Sequence, residues 1–304
     1  DTVSRLHWHH LVGLIPSARM YEACKPNAPL LFPQQILYHQ QVQWPEHYSD
    51  EGYHDGFHLP TSLNETQSNV VKSFAATDER GMFYLVGPPG TGKTTTIAQL
   101  LIERVRRYPD EKILLTAPSN KAIQVVLHKL MEKLKEKGSD IAVAVIDTGK
   151  RCSANHEMLS VGNFISSLIK QFNDVLRFNT SWGAKKDQLM VAVDTVVAHF
   201  VWLLDPAREG LPVDEESIDP IEEALDWFSN NNCHSVCDEK SLKDQVRDCK
   251  QQLQRAAEHV DTFILQKAQI VFGTLIACGR RSLTRAVPSF DTVIVDEASQ
   301  ALLP

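Results

Sequence analysis

The sequence predicts an α/β fold with a mostly parallel sheet, interrupted by a helical insertion, on three observations. Short β-branched or apolar runs alternate with helix-period segments: KILLTAP (112–118), IAVAVID (141–147), AQIVFGT (268–274) and DTVIV (291–295). A glycine-rich stretch, GPPGTGKTTT from Gly87 to Thr96, lies between the apolar run MFYLV and the helical pattern TTTIAQLLIERV. Over residues 151–262 the alternation stops. There Leu242, Val246, Cys249, Leu253, Ala256, Val260 and Phe263 recur at spacings of four and three, the 3.5-residue period of a helix lying along a partner.

Taken in order, residues 1–62 are rich in His, Pro and aromatics, with a helical stretch SARMYEAC and turn signals at Pro45, Gly52, Gly56 and Pro60. MFYLV reads as a short buried strand and TTTIAQLLIERV as the helix after it. KILLTAP is the next strand. Asn120 then caps a helix whose apolar residues Ile123, Val126, Leu127, Leu130, Met131 and Leu134 share one face. IAVAVID is a third strand. Inside the insertion, Leu189, Val193, Val196 and Phe200 form a stripe able to meet the heptad helix. The acidic stretch from Asp205 to Asp219, with Pro206, Gly210 and Pro212, reads as a loop. AQIVFGT and DTVIV complete the sheet. The heptad residues can bury one another, so the insertion is expected to be dispensable for the fold at a loop-closure cost of order 1 kcal/mol.

At 304 residues and 43% hydrophobic, the chain can bury a large core, and its net charge of −7 excludes a global basic field for nucleic acid. Its six cysteines lack a disulfide-like spacing. That suggests a reducing compartment, cytoplasmic or nuclear. Cys233, His234 and Cys237 suggest a metal corner, but no second ligand pair follows, so they read as loop thiols. The longest apolar run, LMVAVDTVVAHFVWLL, is interrupted by Asp194 and His199 and is short for a bilayer span, so no membrane is expected.

Two segments carry the chemistry. In GPPGTGKTTT, Gly87, Gly90 and Gly92 let backbone N–H groups wrap around phosphate oxygens. Lys93 reaches the β- and γ-phosphates, the Thr94 hydroxyl suits Mg²⁺, and the helix start adds its positive dipole end. Candidate nucleotide-binding residues therefore run from Gly87 through Pro88, Pro89, Gly90, Thr91, Gly92, Lys93 and Thr94 to Thr95. In VIVDEASQ, Asp296 and Glu297 follow a strand, where open α/β sheets bind ligands. Asp296 suits Mg²⁺, and Glu297 suits orienting and deprotonating a water. Together they read as a site for ATP or GTP with Mg²⁺.

LNETQSNVV (63–71), GPPGTGKTTT, APSNKAIQVVL (117–127), IVFGTLIACG (270–279) and VIVDEASQALLP (293–304) stand in the order and spacing of superfamily 1 helicases. They most resemble the branch holding the nonsense-mediated-decay helicase, senataxin and the immunoglobulin-mu-binding helicase. The resemblance implies a RecA-like P-loop NTPase fold and an ATP-dependent helicase acting on single-stranded RNA or DNA, 5′ to 3′. It divides the chain into the tail of an accessory domain with its stalk helix (1–62), the first part of the first motor domain (63–150), the insertion (151–262) and an incomplete second part (263–304).

The resemblance also assigns roles. Gln67 would read the adenine edge, though alone it is a surface amide. Ser119, Asn120 and Thr274 would touch the backbone of a single strand, while Ser119 and Asn120 also read as helix caps. Gln300 would contact the γ-phosphate, as a third catalytic residue beside Lys93 and Glu297. The family often has an acidic residue where Gln124 stands. Arg280, Arg281 and Arg285 add phosphate contacts or form a solvated turn, and the insertion offers a surface to protein partners. In the family a second motor domain supplies arginines worth about 10³–10⁵ in rate. The 304-residue chain ends after the DEASQ motif and is expected to be a fragment with trace turnover. A P-loop switch or scaffold without unwinding, or a non-catalytic truncated product, is the alternative.

Overall fold

The structure, a computed structural model, describes residues 59–76, 84–137, 141–146, 159–177, 181–206, 210–230 and 236–300. SARMYEAC, Met82, Phe83, Cys233 and His234 lie outside these residues.

Among the described residues five strands form one sheet: β1 (Ile113–Ala117), β2 (Val143–Ile146), β3 (Leu159–Val161), β4 (Ile270–Thr274) and β5 (Thr292–Val295). Their order is β3-β2-β4-β1-β5 and every pairing is parallel. A parallel sheet needs cover on both faces, and the strand residues divide by parity to meet it. Ile113, Leu115, Val143, Val145, Ile270 and Phe272 pack on one side with α2 (Lys93–Arg107) and α3 (Asn120–Lys137). Leu114, Ala144, Ile146 and Val271 point to the other side.

That second side is covered by the insertion. Its helices are α4 (Phe164–Arg177), α5 (Trp182–Leu204), α6 (Glu215–Ser229) and α7 (Glu239–Lys267). The heptad residues of α7 are all buried, packed chiefly against α4 and α6, with α5 behind them. They belong to the same continuous apolar cluster as Leu114, Ala144 and Val271. The expectation that the insertion encloses a separate core is therefore corrected: its core and the second face of the sheet are one. The sheet also resumes inside the stretch read as insertion, because β3 pairs with β2.

Three other elements differ from the reading. Of the acidic stretch, described residues 205–206 and 210–214 lie outside helix and strand, but Glu215 and Glu216 open α6, where carboxylates meet the positive helix end. MFYLV is not a strand over its described part: Tyr84, Leu85 and Val86 are 64%, 42% and 90% exposed and pair with no described strand. Among the described strands DTVIV lies at the edge of the sheet, with Val293 and Val295 exposed, where a buried strand was expected. A strand needs a neighbouring backbone to complete its hydrogen bonds, and β5 has one neighbour among the described strands. Among the described residues α5, at 23 residues, is the one helix long and apolar enough to cross a membrane by length and composition. Its Leu189, Val193, Val196, Phe200 and Leu203 are buried within the helical arm.

A buried lysine ties the two layers. The Lys112 ammonium donates to the carbonyls of Leu265 and Gln266, at 2.6 Å for the latter, in the last turn of α7. Its own N–H donates to Asp291 at 2.8 Å. Burial pulls its pKa from 10.5 down to about 8, with Asp291 opposing the shift. Between those values the unfolded chain binds more protons than the folded one, so stability rises with pH across that window. The rise is expected to reach at most about 3 kcal/mol and to vanish in Lys112→Met. Denaturant midpoints measured across the window test it; equal slopes in the two proteins would exclude it.

Candidate nucleotide site and strand edge

Helix α1 (Glu65–Ala76) starts on a reciprocal cap. The Gln67 N–H donates to Asn64 Oδ1 at 2.8 Å, and the Asn64 N–H donates to Gln67 Oε1 at 3.0 Å. The other end of the Gln67 amide, Nε2, donates to the Thr91 carbonyl at 2.9 Å. Gln67 therefore lies on the phosphate loop, with both ends of its amide engaged. Asn64 was not singled out by sequence reasoning, although N-x-x-Q before an apolar run is a helix-start signature.

The loop itself requires glycine. Gly90 and Gly92 have φ of +81° and +79°, a region that other residues rarely enter. A Cβ on Gly92 would come within 2.7 Å of Gln67 Nε2, and one on Gly87 within 2.8 Å of the Thr91 hydroxyl. That hydroxyl donates to the Pro88 carbonyl at 2.8 Å, beside exposed Pro89. Lys93 folds its ammonium back onto the carbonyls of Gly87 and of Pro88, at 2.9 Å for the latter. Thr94 and Thr95 sit half-buried in the first turn of α2. A loop with glycine at 87, 90 and 92 and a lysine at its rim fits a polyphosphate.

The other candidates line the carboxyl ends of adjacent strands. Ala117 at the end of β1 is in register with Thr274 at the end of β4, and Thr116 with Val295 of β5. The Asp296 N–H donates to the Thr116 carbonyl at 2.9 Å, and the Glu297 N–H to Asp296 Oδ1 at 3.0 Å. Glu297 has φ of +52°, the one non-glycine in the left-handed region among the described residues. Such strain persists where the surroundings impose it. The Gln300 N–H closes the next turn onto the Glu297 carbonyl at 2.8 Å. Among the described residues no hydrogen bond or ion pair joins Asp296 or Glu297 to the loop. Their common edge follows from topology: α2 leads into the start of β1, so its first turn lies at the strands' carboxyl end.

Ser119 and Thr274 both act as caps. The Ser119 hydroxyl accepts from the Ala122 N–H at 3.1 Å, and buried Thr274 accepts from the Ala277 N–H at 3.2 Å. Asn120 is exposed beside them. A buried polar bridge went unseen in the sequence: Lys133 of α3 donates to Gln99 Oε1 at 3.2 Å, and Gln99 Nε2 donates to Glu103 at 2.8 Å. It joins the helix that starts at the phosphate loop to the helix that starts at Asn120. Its members sit among apolar residues at ordinary helical spacing, so only contact reveals them.

A parallel sheet, a glycine loop opening a helix and an acidic pair on the same edge define an α/β, RecA-like P-loop domain. The chain belongs to the AAA domain family, whose sequence pattern matches residues 62–304. It is 25% identical over 261 residues to the uncharacterized ATP-dependent helicase MJ0104 of Methanocaldococcus jannaschii, covering 80% of this chain and 34% of that protein. It is 26% identical over 274 residues to helicase sen1 of Schizosaccharomyces pombe, covering 79% and 15%. A shorter stretch of 71 residues is 44% identical to the RNA helicase Mov10l1 of Homo sapiens, covering 23% and 6%. These similarities agree with the superfamily 1 branch indicated by the five motifs. The chain spans about a third or less of the length of these relatives.

Proposed function

We propose that this chain is the ATP-binding first motor domain of an ATP-dependent helicase that moves on single-stranded RNA or DNA. The observation that carries the reading is the common edge: a phosphate loop with glycine at three positions and the pair Asp296–Glu297 at the carboxyl end of one parallel sheet. The names of the similar proteins support it. On this reading the Lys93 ammonium exchanges the Gly87 and Pro88 carbonyls for phosphate oxygens. Thr94 and Asp296 would hold Mg²⁺, which when bound neutralises phosphate charge. Glu297 orients and deprotonates the attacking water, and Gln300, one turn on, senses the γ-phosphate. Gln67 stands where a base edge would meet the loop, through the amide that now holds Thr91. Asn120 and the caps Ser119 and Thr274 present the adjoining edge to a sugar–phosphate backbone, a chemistry RNA and DNA share. The cytoplasm or nucleus is the proposed location.

In the intact protein, single-stranded RNA or DNA is expected to raise ATP turnover. Glu297→Gln should cut that turnover by about 10²–10⁴-fold, the span of general-base catalysis, and leave ATP affinity within about twofold. Turnover indifferent to nucleic acid would overturn the reading.

A further inference from the structure

We infer that the track for a single strand continues past the end of β4 onto α9 (Arg281–Ala286), where Arg281 and Arg285 hold successive phosphates. This deepens, and rests on, the single-strand reading above. After Thr274 the chain forms the short helix α8 (Leu275–Cys278), whose Leu275 and Ile276 are each 39% exposed. It then turns through Arg280 into α9. Arg281 and Arg285 are four residues apart and share one face. Leu283 and Ala286, on the opposite face, are buried in the cluster shared with α7. One helical turn, about 5.4 Å, separates the two arginine stems, a spacing suited to neighbouring phosphates of an extended strand.

The three arginines of this turn have different surroundings. Arg281 and Arg285 are exposed, and among the described residues neither guanidinium has a hydrogen-bond or ion-pair partner. Arg280 is half-buried and its charge acts on Asp261 of α7, which accepts from the Gly162 N–H at 2.8 Å. Arg280, half-buried, is turned partly into the protein, whereas the outer pair is open to solvent and to a ligand. At the other end of the edge Lys121, in the first turn of α3, is also exposed and without a partner among the described residues. Lys121 and the arginine pair thus follow the ends of the adjacent strands β1 and β4, and Leu275 and Ile276 follow β4 directly. An acidic peptide would use the cations alone; a single strand uses the apolar pair as well, by covering it with the apolar face of a base.

The test is the salt dependence of binding of a short fluorescent oligouridylate and oligothymidylate to the 304-residue chain, followed by anisotropy from about 50 to 200 mM salt. The double variant Arg281→Ala/Arg285→Ala is expected to bind about tenfold more weakly, with a log–log slope smaller by about 1.4, since each single-strand phosphate contributes about 0.7. Arg281→Lys/Arg285→Lys should restore the slope, and melting and ATP affinity should match the wild type in both. A wild type that binds, with an unchanged slope in the alanine variant, overturns the α9 track and leaves the single-strand reading intact. A wild type that binds neither oligonucleotide overturns both. Displacement of the oligonucleotide by polyglutamate at equal charge would reassign the pair to an acidic protein segment.

Discussion

Lys93→Ala is expected to weaken Mg-ATP binding by about 10- to 100-fold while leaving the fold unchanged. The ammonium makes charge-assisted contacts worth about 1.5–3 kcal/mol, and about 1.4 kcal/mol is a factor of ten in affinity. Its partners in the structure are the carbonyls of Gly87 and Pro88, both on a loop open to water. Solvent can therefore replace the amine, and the melting temperature should barely move. Calorimetric titration with ATP and Mg²⁺, beside a thermal melt, checks both halves. Undiminished affinity in a well-folded variant would remove Lys93 from the phosphate site.

Replacing residues 152–258 by a short Gly/Ser linker is expected to abolish cooperative folding, the reverse of what heptad spacing alone suggests. The replacement removes β3 and strips the partners of Leu114, Val271, Val260 and Phe263, which lie in one cluster with the arm. Each such side chain contributes about 1.5–3 kcal/mol when buried. Four of them approach the whole stability of an ordinary domain, about 5–15 kcal/mol. Loop closure, of order 1 kcal/mol, is minor beside that. Circular dichroism through a thermal ramp is the measurement. A sharp transition near the wild-type temperature would show that the arm's core is separate after all.

The reversal shows which part of the fold could be read in advance. ILLTA and IVFGT are apolar at both parities, the mark of strands covered on two faces. The second cover comes from the intervening helices, which a heptad stripe read alone would assign to a core of their own. The stripe itself was correctly read, since all seven of its residues are buried. DTVIV shows the opposite limit. Its composition is that of a buried strand, yet two of its valines are exposed, and among the described strands β5 lies at the sheet edge. Of the site, the loop glycines were legible because left-handed backbone leaves a direct trace in residue type. The engagement of both ends of Gln67 was not, because it joins residues 24 positions apart.

By itself the sequence determined the local chemistry: a glycine loop opening a helix, an acidic pair after a strand, the apolar faces of α3 and α7, and the family they indicate. These depend on neighbours within a few turns of chain, so residue type and spacing record them. Only the tertiary structure decided that β4 lies between β2 and β1, that the arm is the second layer of the sandwich, and that Lys133 and Gln99 meet between helices. It also decided which arginines after β4 are exposed to solvent and which one is half-buried. Strand pairing and burial are relations between distant segments. An apolar run or a basic triplet reads the same whichever surface it finally meets.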